Sequence, residues 1–196
     1  MNIKRSPTSS LAVRQAISHA LDVDALVQEV FHGEFTRAYG PVSQFTLGYE
    51  PGVENMYPHN PEKAVHLLEQ EGWLPGPDAI RQRGGEALRV TFYALPVNFY
   101  PQFCTIVARQ LALVGIGVDV ELCTPPQWIQ AGMQGLHNLI PQGKYASSSQ
   151  LLGFAYHSRK SGAGAYGWSK RAADAYPRVD DFIAGAGPRL TPVELA

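Results

Sequence analysis

The sequence predicts an α/β fold in which helices alternate with short strands. Two segments, Leu88 to Tyr93 and Val118 to Leu122, alternate apolar and polar residues as strands with one buried face do. A helical pattern from about Asn98 to Val114 lies between them, and Gly115 provides its stop. This order of strand, helix and strand predicts a parallel pair of strands joined by a right-handed crossover.

The N-terminal part of the chain predicts two helices in succession. One serine of the pair Ser9-Ser10 caps a helix over residues 11–21, because its oxygen accepts a hydrogen bond from an exposed amide of the first turn. An aspartate, Asp22 or Asp24, then begins a second, shorter helix that reaches Phe31.

A third helix is predicted after an irregular loop over residues 34–59, which contains three prolines and several glycines. Its start signal is Asn60-Pro61-Glu62, which combines a capping residue, a proline in the first turn and an acid near the positive end of the helix dipole. Trp73 is expected to pack back onto this helix. Residues 75–86 are predicted to be a turn-rich loop with Gly84-Gly85 at its tip.

The C-terminal part predicts a mixture of elements and one long loop. Trp128 to Leu136 has a helical pattern, and Leu151 to Tyr156 is an apolar strand candidate. The segment from Gly162 to Arg178 is glycine-rich and polar, as loops are. Val179 to Ala186 is predicted to form a last helix.

The charge balance excludes nucleic acid as a partner of this chain. There are 16 basic and 17 acidic residues, a formal net charge of −1, and no cluster of Lys and Arg that could neutralise phosphates. No run approaches the ~20 apolar residues that span a bilayer. The first residues also lack the apolar run of a signal peptide. That feature fits either a cytosolic protein or a chain whose start is missing.

The sequence contains no complete motif for metal binding, dinucleotide binding or nucleophilic catalysis. Cys104 and Cys123 have no metal-binding spacing and are expected to be buried free thiols rather than a disulfide. Residues 162–167 match GxGxxG, but no convincing helix follows and the acid expected ~20 residues later is missing. No HExxH or GxSxG pattern occurs. The sequence therefore predicts neither an enzyme nor a bound cofactor.

Six collinear segments resemble bacterial family 5 solute-binding proteins, the receptors of peptide- and nickel-type ABC importers. The first is Val13-Arg14-Gln15-Ala16-Ile17-Ser18-His19-Ala20-Leu21-Asp22 with Asp24-Ala25-Leu26-Val27, which is similar to the family's VRQAISYALDRxALV. The others are Gly33 with Gly40-Pro41, Asn60-Pro61-Glu62-Lys63-Ala64 to Gly72-Trp73, Leu88 to Tyr93, Gln110-Leu111 with Gly115 to Val120, and Tyr166-Gly167 with Pro177-Arg178-Val179-Asp180.

The resemblance implies the C-terminal lobe of a two-lobed periplasmic-binding-protein fold of type II. Residues 1–196 are then one ligand-facing lobe of an incomplete chain, without the N-terminal lobe and the final return segment. The resemblance also implies that the protein captures an oligopeptide, a dipeptide or a metal chelate by lobe closure. It would deliver this solute to ABC-transporter permease subunits. The protein would be periplasmic or a lipid-anchored extracytoplasmic protein.

The ligand is expected to meet the loops after Tyr93 and after Leu122, together with the stretch 145–168. Within that stretch the candidates for stacking and hydrogen bonding are Tyr145, Tyr156, His157, Tyr166 and Trp168. Peptide-binding relatives carry an acidic GWxxDxxDP-like segment, whereas residues 143–150 contain no acid. This departure argues against an ammonium clamp of the dipeptide type.

Two alternatives to transport remain open at this point. Family 5 modules also occur in transcriptional regulators, where the cleft senses a ligand in the cytoplasm. A degenerate member without transport function is the other alternative. Both are compatible with the missing signal peptide and the altered acidic segment.

Overall fold

The computed structural model describes residues 1–40, 43–45 and 49–141. The chain divides into two compact units, Met1–Arg37 with Asn55–Pro141 and Ala38–Glu54 with Gln142–Ala196. In the second unit, the Tyr49 hydroxyl donates to Glu54 Oε1 at 2.7 Å, just inside the 3-10 turn Pro51–Asn55. The strand, loop and helix predicted within 151–186 lie outside the described residues. The extent of the lobe therefore stays a prediction.

The first two helices form where the sequence predicts them. Helix α1 spans Leu11–Ala20, and the Ser10 side chain accepts from the amide of Val13. Helix α2 spans Val23–Phe31, with the Asp22 carboxylate accepting from the amide of Ala25 at 2.9 Å. The Arg14 guanidinium donates to the carbonyls of Thr8 and Ser9, which precede the helix.

Helix α3 spans Pro61–Gln70 and confirms the start signal at Asn60. The Asn60 side chain accepts from the amide of Lys63 at 2.8 Å, and Pro61 occupies the first turn, where an amide donor would have no partner. Trp73 is buried in the core, as expected, and the Arg83 guanidinium lies 4.5 Å from the centre of its ring.

The segment after α3 is a small sheet, not the turn-rich loop that the sequence predicts. Strands β1 (Leu74–Pro75), β2 (Arg81–Arg83) and β3 (Glu86–Ala87) pair antiparallel in that order. Gly84 and Gly85 both have positive φ and form the turn between β2 and β3. Strands this short carry almost no periodicity, so glycine and proline dominate the sequence signal.

Arg81 anchors this small sheet to the helices. Its side chain is buried and donates to the carbonyls of Val114 and Trp73, each at 2.9 Å, and to Glu69 Oε1 at 3.2 Å. A Cβ at Gly115, which has φ +83°, would come within 2.6 Å of the Arg81 Cγ. Two constraints therefore favour glycine at position 115, just after the helix that follows the small sheet. They are its positive φ and the close approach of Arg81.

A parallel pair of strands with a connecting helix lies at the centre of the first unit. Strand β4 (Arg89–Ala94), helix α4 (Tyr100–Ala112) and strand β5 (Gly117–Leu122) follow one another, and β4 pairs parallel to β5 with Arg89 opposite Gly117. This confirms the predicted parallel pair. Val90 and Phe92 of β4 pack into the core with the buried face of α4.

Helix α5 spans Pro125–Gln134 and begins three residues before the predicted start at Trp128. Gln127 Oε1 accepts from the amide of Thr124 at 2.9 Å, as part of a capping box, and Pro125 occupies the first turn. The chain then returns along the other side of β4. Leu139 forms a parallel bridge with Phe92.

A buried polar side chain joins the first residues of the chain to β4. Asn138 Oδ1 accepts from the amide of Thr91 at 2.9 Å, and Asn138 Nδ2 donates to the Ser6 carbonyl and to Thr8 Oγ1, both at 3.0 Å. Asn2 completes the network, because its Nδ2 donates to the carbonyls of Gly135 and His137. We call Asn2, Thr8 and Asn138 the polar clamp.

Replacing Asn138 by alanine should lower the free energy of unfolding by about 3 kcal/mol. The truncation leaves the buried amide of Thr91 without its partner and removes both bonds to the N-terminal segment. Urea denaturation of the full chain measures the loss. Gln130→Ala is the control, since Gln130 lies on the exposed face of α5 and should change stability by less than about 0.5 kcal/mol. Equal effects for the two variants would contradict the role of the clamp.

Candidate functional site

The carboxyl ends of β4 and β5 lie side by side and define the candidate site. Ala94 pairs with Leu122 at the end of both strands, and the amide of Cys123 donates to the Ala94 carbonyl at 3.0 Å. The loops predicted to meet ligand, after Tyr93 and after Leu122, therefore start at the same edge of the sheet. In parallel sheets this edge is where ligands bind.

Apolar side chains are exposed at this edge. Leu122, the last residue of β5, is 48% exposed, and Val97, in the loop after β4, is 46% exposed. Val120 lies on the same face of β5 as Leu122, and this face becomes less covered toward the carboxyl end of the strand. An edge of this kind can bury apolar parts of a solute.

Four aromatic rings form a contact series beside the edge, and we call them the aromatic cluster. Phe31, at the end of α2, lies with its ring centre 4.9 Å from that of Phe35 and also 4.9 Å from that of Phe99, both edge-to-face. The rings of Phe99 and Tyr100 follow at 4.6 Å. Phe99 and Tyr100 stand at the N-terminus of α4, so the loop that leaves β4 leads directly into the cluster.

Two arginines of the first unit form ion pairs with carboxylates, one between helices α2 and α4 and one between strands β4 and β5. Arg109 of α4 donates to both carboxylate oxygens of Glu29 of α2, at 2.6 and 2.8 Å. The hydrogen bond to Glu29 raises the pKa of Arg109. On the two strands, Arg89 forms a bidentate pair with Asp119, and this contact lowers the pKa of the Asp119 carboxyl. These charges are compensated within the protein.

The two thiols are free, as expected, and neither is activated. Burial raises the pKa of Cys104 to about 11, and Cys104 lies on the core face of α4. Burial, and to a lesser extent Glu121, also raises the pKa of Cys123, which lies at the edge after β5. Raised values keep both groups protonated at neutral pH, so neither thiol is suited to nucleophilic catalysis.

Two of the described histidines, His19 and His137, are buried and lie within hydrogen-bond distance of backbone carbonyls. Burial lowers the pKa of His137, and its Nδ1 lies 3.1 Å from the carbonyl of Ala131. His19 is buried, with Nδ1 2.8 Å from the carbonyl of Pro58. Within residues 1–40, 43–45 and 49–141, no group of three or more His, Cys, Asp or Glu side chains is arranged to hold a metal ion.

The five ligand-contact candidates all fall beyond the part of the chain that the structure describes. They are Tyr145, Tyr156, His157, Tyr166 and Trp168. Their contact with ligand therefore stays a prediction.

Sequence reasoning missed the aromatic cluster and the polar clamp. A signal for the first exists, because Phe31 and Phe35 are four residues apart and Phe99-Tyr100 directly follows a loop after a strand. No local signal exists for the second. Asn138 and Thr8 are 130 residues apart, and an asparagine after a helix is usually a turn residue.

The sequence profile of bacterial extracellular solute-binding proteins, family 5 (middle region), matches residues 1–166. The chain belongs to this family. None of the helices in the described residues is both long and apolar enough to cross a membrane.

Two relatives illustrate the similarity in sequence. Protein XP55 of Streptomyces lividans is 35% identical over 179 residues, which is 90% of this chain and 32% of that protein. The nickel-binding periplasmic protein of Escherichia coli is 34% identical over 127 residues, 62% of this chain and 23% of that protein. The chain thus spans about a third or less of the length of these relatives.

Solved structures share the fold at low sequence identity. The chain superimposes on the periplasmic oligopeptide-binding protein of Thermotoga maritima with a TM-score of 0.81 at 17% identity, covering 100% of this chain and 39% of that one. NikA of Brucella suis, in complex with Fe(III)-EDTA, gives 0.78 at 22% identity, covering 99% and 39%. These likenesses confirm the predicted periplasmic-binding-protein fold.

The two thiols should differ in their reaction with a maleimide at neutral pH. Cys123 is partly exposed and should be modified in the folded protein, whereas Cys104 is fully buried and should react only after denaturation. Because the pKa of Cys123 is raised, its labelling rate should continue to increase with pH above the pKa of an ordinary cysteine thiol. Mass spectrometry of the labelled peptides measures both sites. Equal labelling of both thiols in the folded protein would contradict the packing of α4.

Proposed function

We propose that this chain forms the ligand-facing part of an ABC-importer receptor that captures short peptides. Its supporting observation is the apolar carboxyl edge of β4 and β5, flanked by the aromatic cluster and by charges that are already paired. A peptide offers apolar side chains to such an edge and satisfies its own backbone through polar groups elsewhere in the cleft. Capture by lobe closure requires no covalent chemistry.

The relatives support a solute-binding role and leave the solute open. The dipeptide-binding protein of Escherichia coli is 23% identical to this chain over 147 residues, and the nickel-binding relative is more similar. A metal chelate is therefore the second candidate. Peptide is preferred because the described part of the edge presents mainly rings and aliphatic groups beside the exposed carboxylate of Glu121, whereas a chelate would draw on several polar or charged groups.

The proposal includes a location and a partner. A receptor of this family would work outside the cytoplasm, either in the periplasm or on a lipid anchor, and would deliver its cargo to ABC-transporter permease subunits. The proposed cleft is completed by a second lobe. The stretch 145–168 of this chain, with its tyrosines and Trp168, is proposed to contribute further ligand contacts to the cleft.

Short peptides should raise the melting temperature of the full-length protein that contains this chain in a thermal-shift measurement. A ligand that binds only the folded state adds roughly 2.7 kcal/mol of stability at a hundredfold excess over Kd. The panel contains peptides of two to five residues, a nickel chelate and heme, with equimolar mixtures of the free amino acids as the matched control.

A shift with peptides and none with free amino acids supports the proposal. A shift with the nickel chelate alone would replace peptide by chelate as the cargo. A cooperative transition that no member of the panel moves would contradict a transport receptor for these solutes and would favour a sensory or degenerate member of the family.

A further inference from the structure

Two rings of the aromatic cluster are exposed, and the other two pack between them and the core. Phe31 and Tyr100 are partly buried and pack against the core of the first unit. Phe99 and Phe35 remain exposed, at 36% and 63%, and both contact Phe31 edge-on. Edge-to-face contact fixes the orientation of an aromatic ring without covering all of its surface. The two exposed rings are therefore held in place and accessible.

The position of the cluster connects it to the edge site. Phe99 is the residue that caps α4, and only Leu95 to Asn98 separate it from the end of β4. Asn98 has φ +52°, so the chain turns sharply just before Phe99. Val97, in the same loop, is also exposed. An apolar surface thus continues from the carboxyl edge of the sheet to the rings.

The charges on the same two helices favour an uncharged occupant. Glu29 and Arg109 form a bidentate pair, and Gln102 Nε2 donates to the carbonyl of Glu29 at 3.0 Å. Neither of these two charges is left to attract an ion to the rings. A neutral, apolar group gains most from a surface of this kind, and an aromatic ring gains additional edge-to-face contacts.

We propose that the aromatic cluster binds an aromatic side chain of the captured peptide and gives the receptor a preference for peptides that contain one. This inference rests on the proposed peptide-binding function and adds the class of side chain that the edge selects. Phe99 is the residue that makes the contact, with Phe35 extending it. Phe31 and Tyr100 are positioning residues that hold these two rings.

The test compares matched peptides on the full-length protein that contains this chain, by isothermal titration calorimetry. One set carries a single Phe at each position in turn, in peptides of two to five residues, and the matched set carries Ala throughout. The wild-type chain should bind the best Phe peptide about tenfold more tightly than its Ala counterpart, since a ring contact with area burial has about that effect. In Phe99→Ala this preference should disappear, so that Phe and Ala peptides bind with the same affinity.

Two further variants make the comparison specific. Leu113→Ala removes an equally apolar side chain that is 79% exposed at the opposite end of α4, and it should retain the full preference. Phe99→Leu keeps an apolar side chain and removes the ring. It should lose most of the preference for Phe over Ala peptides. Melting temperatures of all variants accompany the titrations.

Each alternative result has a defined meaning. Equal affinity for Phe and Ala peptides in the wild-type chain overturns the inference and leaves peptide capture intact. A large drop in melting temperature for both Phe99 variants, with an unchanged peptide preference, means that another part of the protein covers the rings, and it also overturns the inference. Failure of every peptide to bind the wild-type chain overturns the proposed function itself.

Discussion

The polar clamp is the constraint on which the arrangement of the first unit depends. A single buried asparagine, Asn138, bonds to β4 through the amide of Thr91 and to the N-terminal segment through Ser6 and Thr8. If the Asn138 side chain moved, each of these polar groups would lose its hydrogen-bond partner. The network therefore favours one arrangement of the N-terminal segment, β4 and the returning segment. The ends of β4 and of the returning segment are thereby fixed relative to each other.

The location of the candidate site follows from this arrangement. With β4 held between β5 and the returning segment at Leu139, the loops after β4 and β5 open at one edge. Helix α4 must then begin near that edge, which brings Phe99 to the end of α2 and to Phe31. Arg81 and Gly115 fix the other end of α4, where the small antiparallel sheet joins it. Features that stabilise the fold and features proposed to bind ligand thus lie at opposite ends of the same helix.

The sequence predicts the elements that have strong local signals. The caps at Ser10 and Asn60, the stop at Gly115 and the alternation in β4 depend on neighbouring residues and form as expected. Strand β5 also forms, but its burial does not alternate as predicted, because Val120 and Leu122 are exposed. The early start of α5 was missed, although Thr124 and Gln127 have the spacing of a capping box. The three-stranded sheet was missed because strands of two or three residues are too short to show a period.

The candidate site was predictable only in outline. Two strands in a parallel pair imply a shared carboxyl edge, so the loops after Tyr93 and Leu122 could be placed together from the sequence. The contact between Phe31 and Phe99 joins residues 68 positions apart and depends on how α2 packs on α4. The clamp depends on contacts across more than a hundred residues. The sequence places these aromatic residues near element ends, but neither the contact between Phe31 and Phe99 nor the clamp can be read from it, because tertiary packing creates both.

The central claim is that solute binds at the carboxyl edge of β4 and β5. Hydrogen exchange of the full chain, with and without a saturating peptide that raises its melting temperature, tests this claim most directly. The account predicts slower exchange for the amides of residues 97–100, 122–124 and 127 on binding, and no change in the turn at Gly84-Gly85. Unchanged exchange at the edge, with protection confined to other parts of the chain, would contradict it.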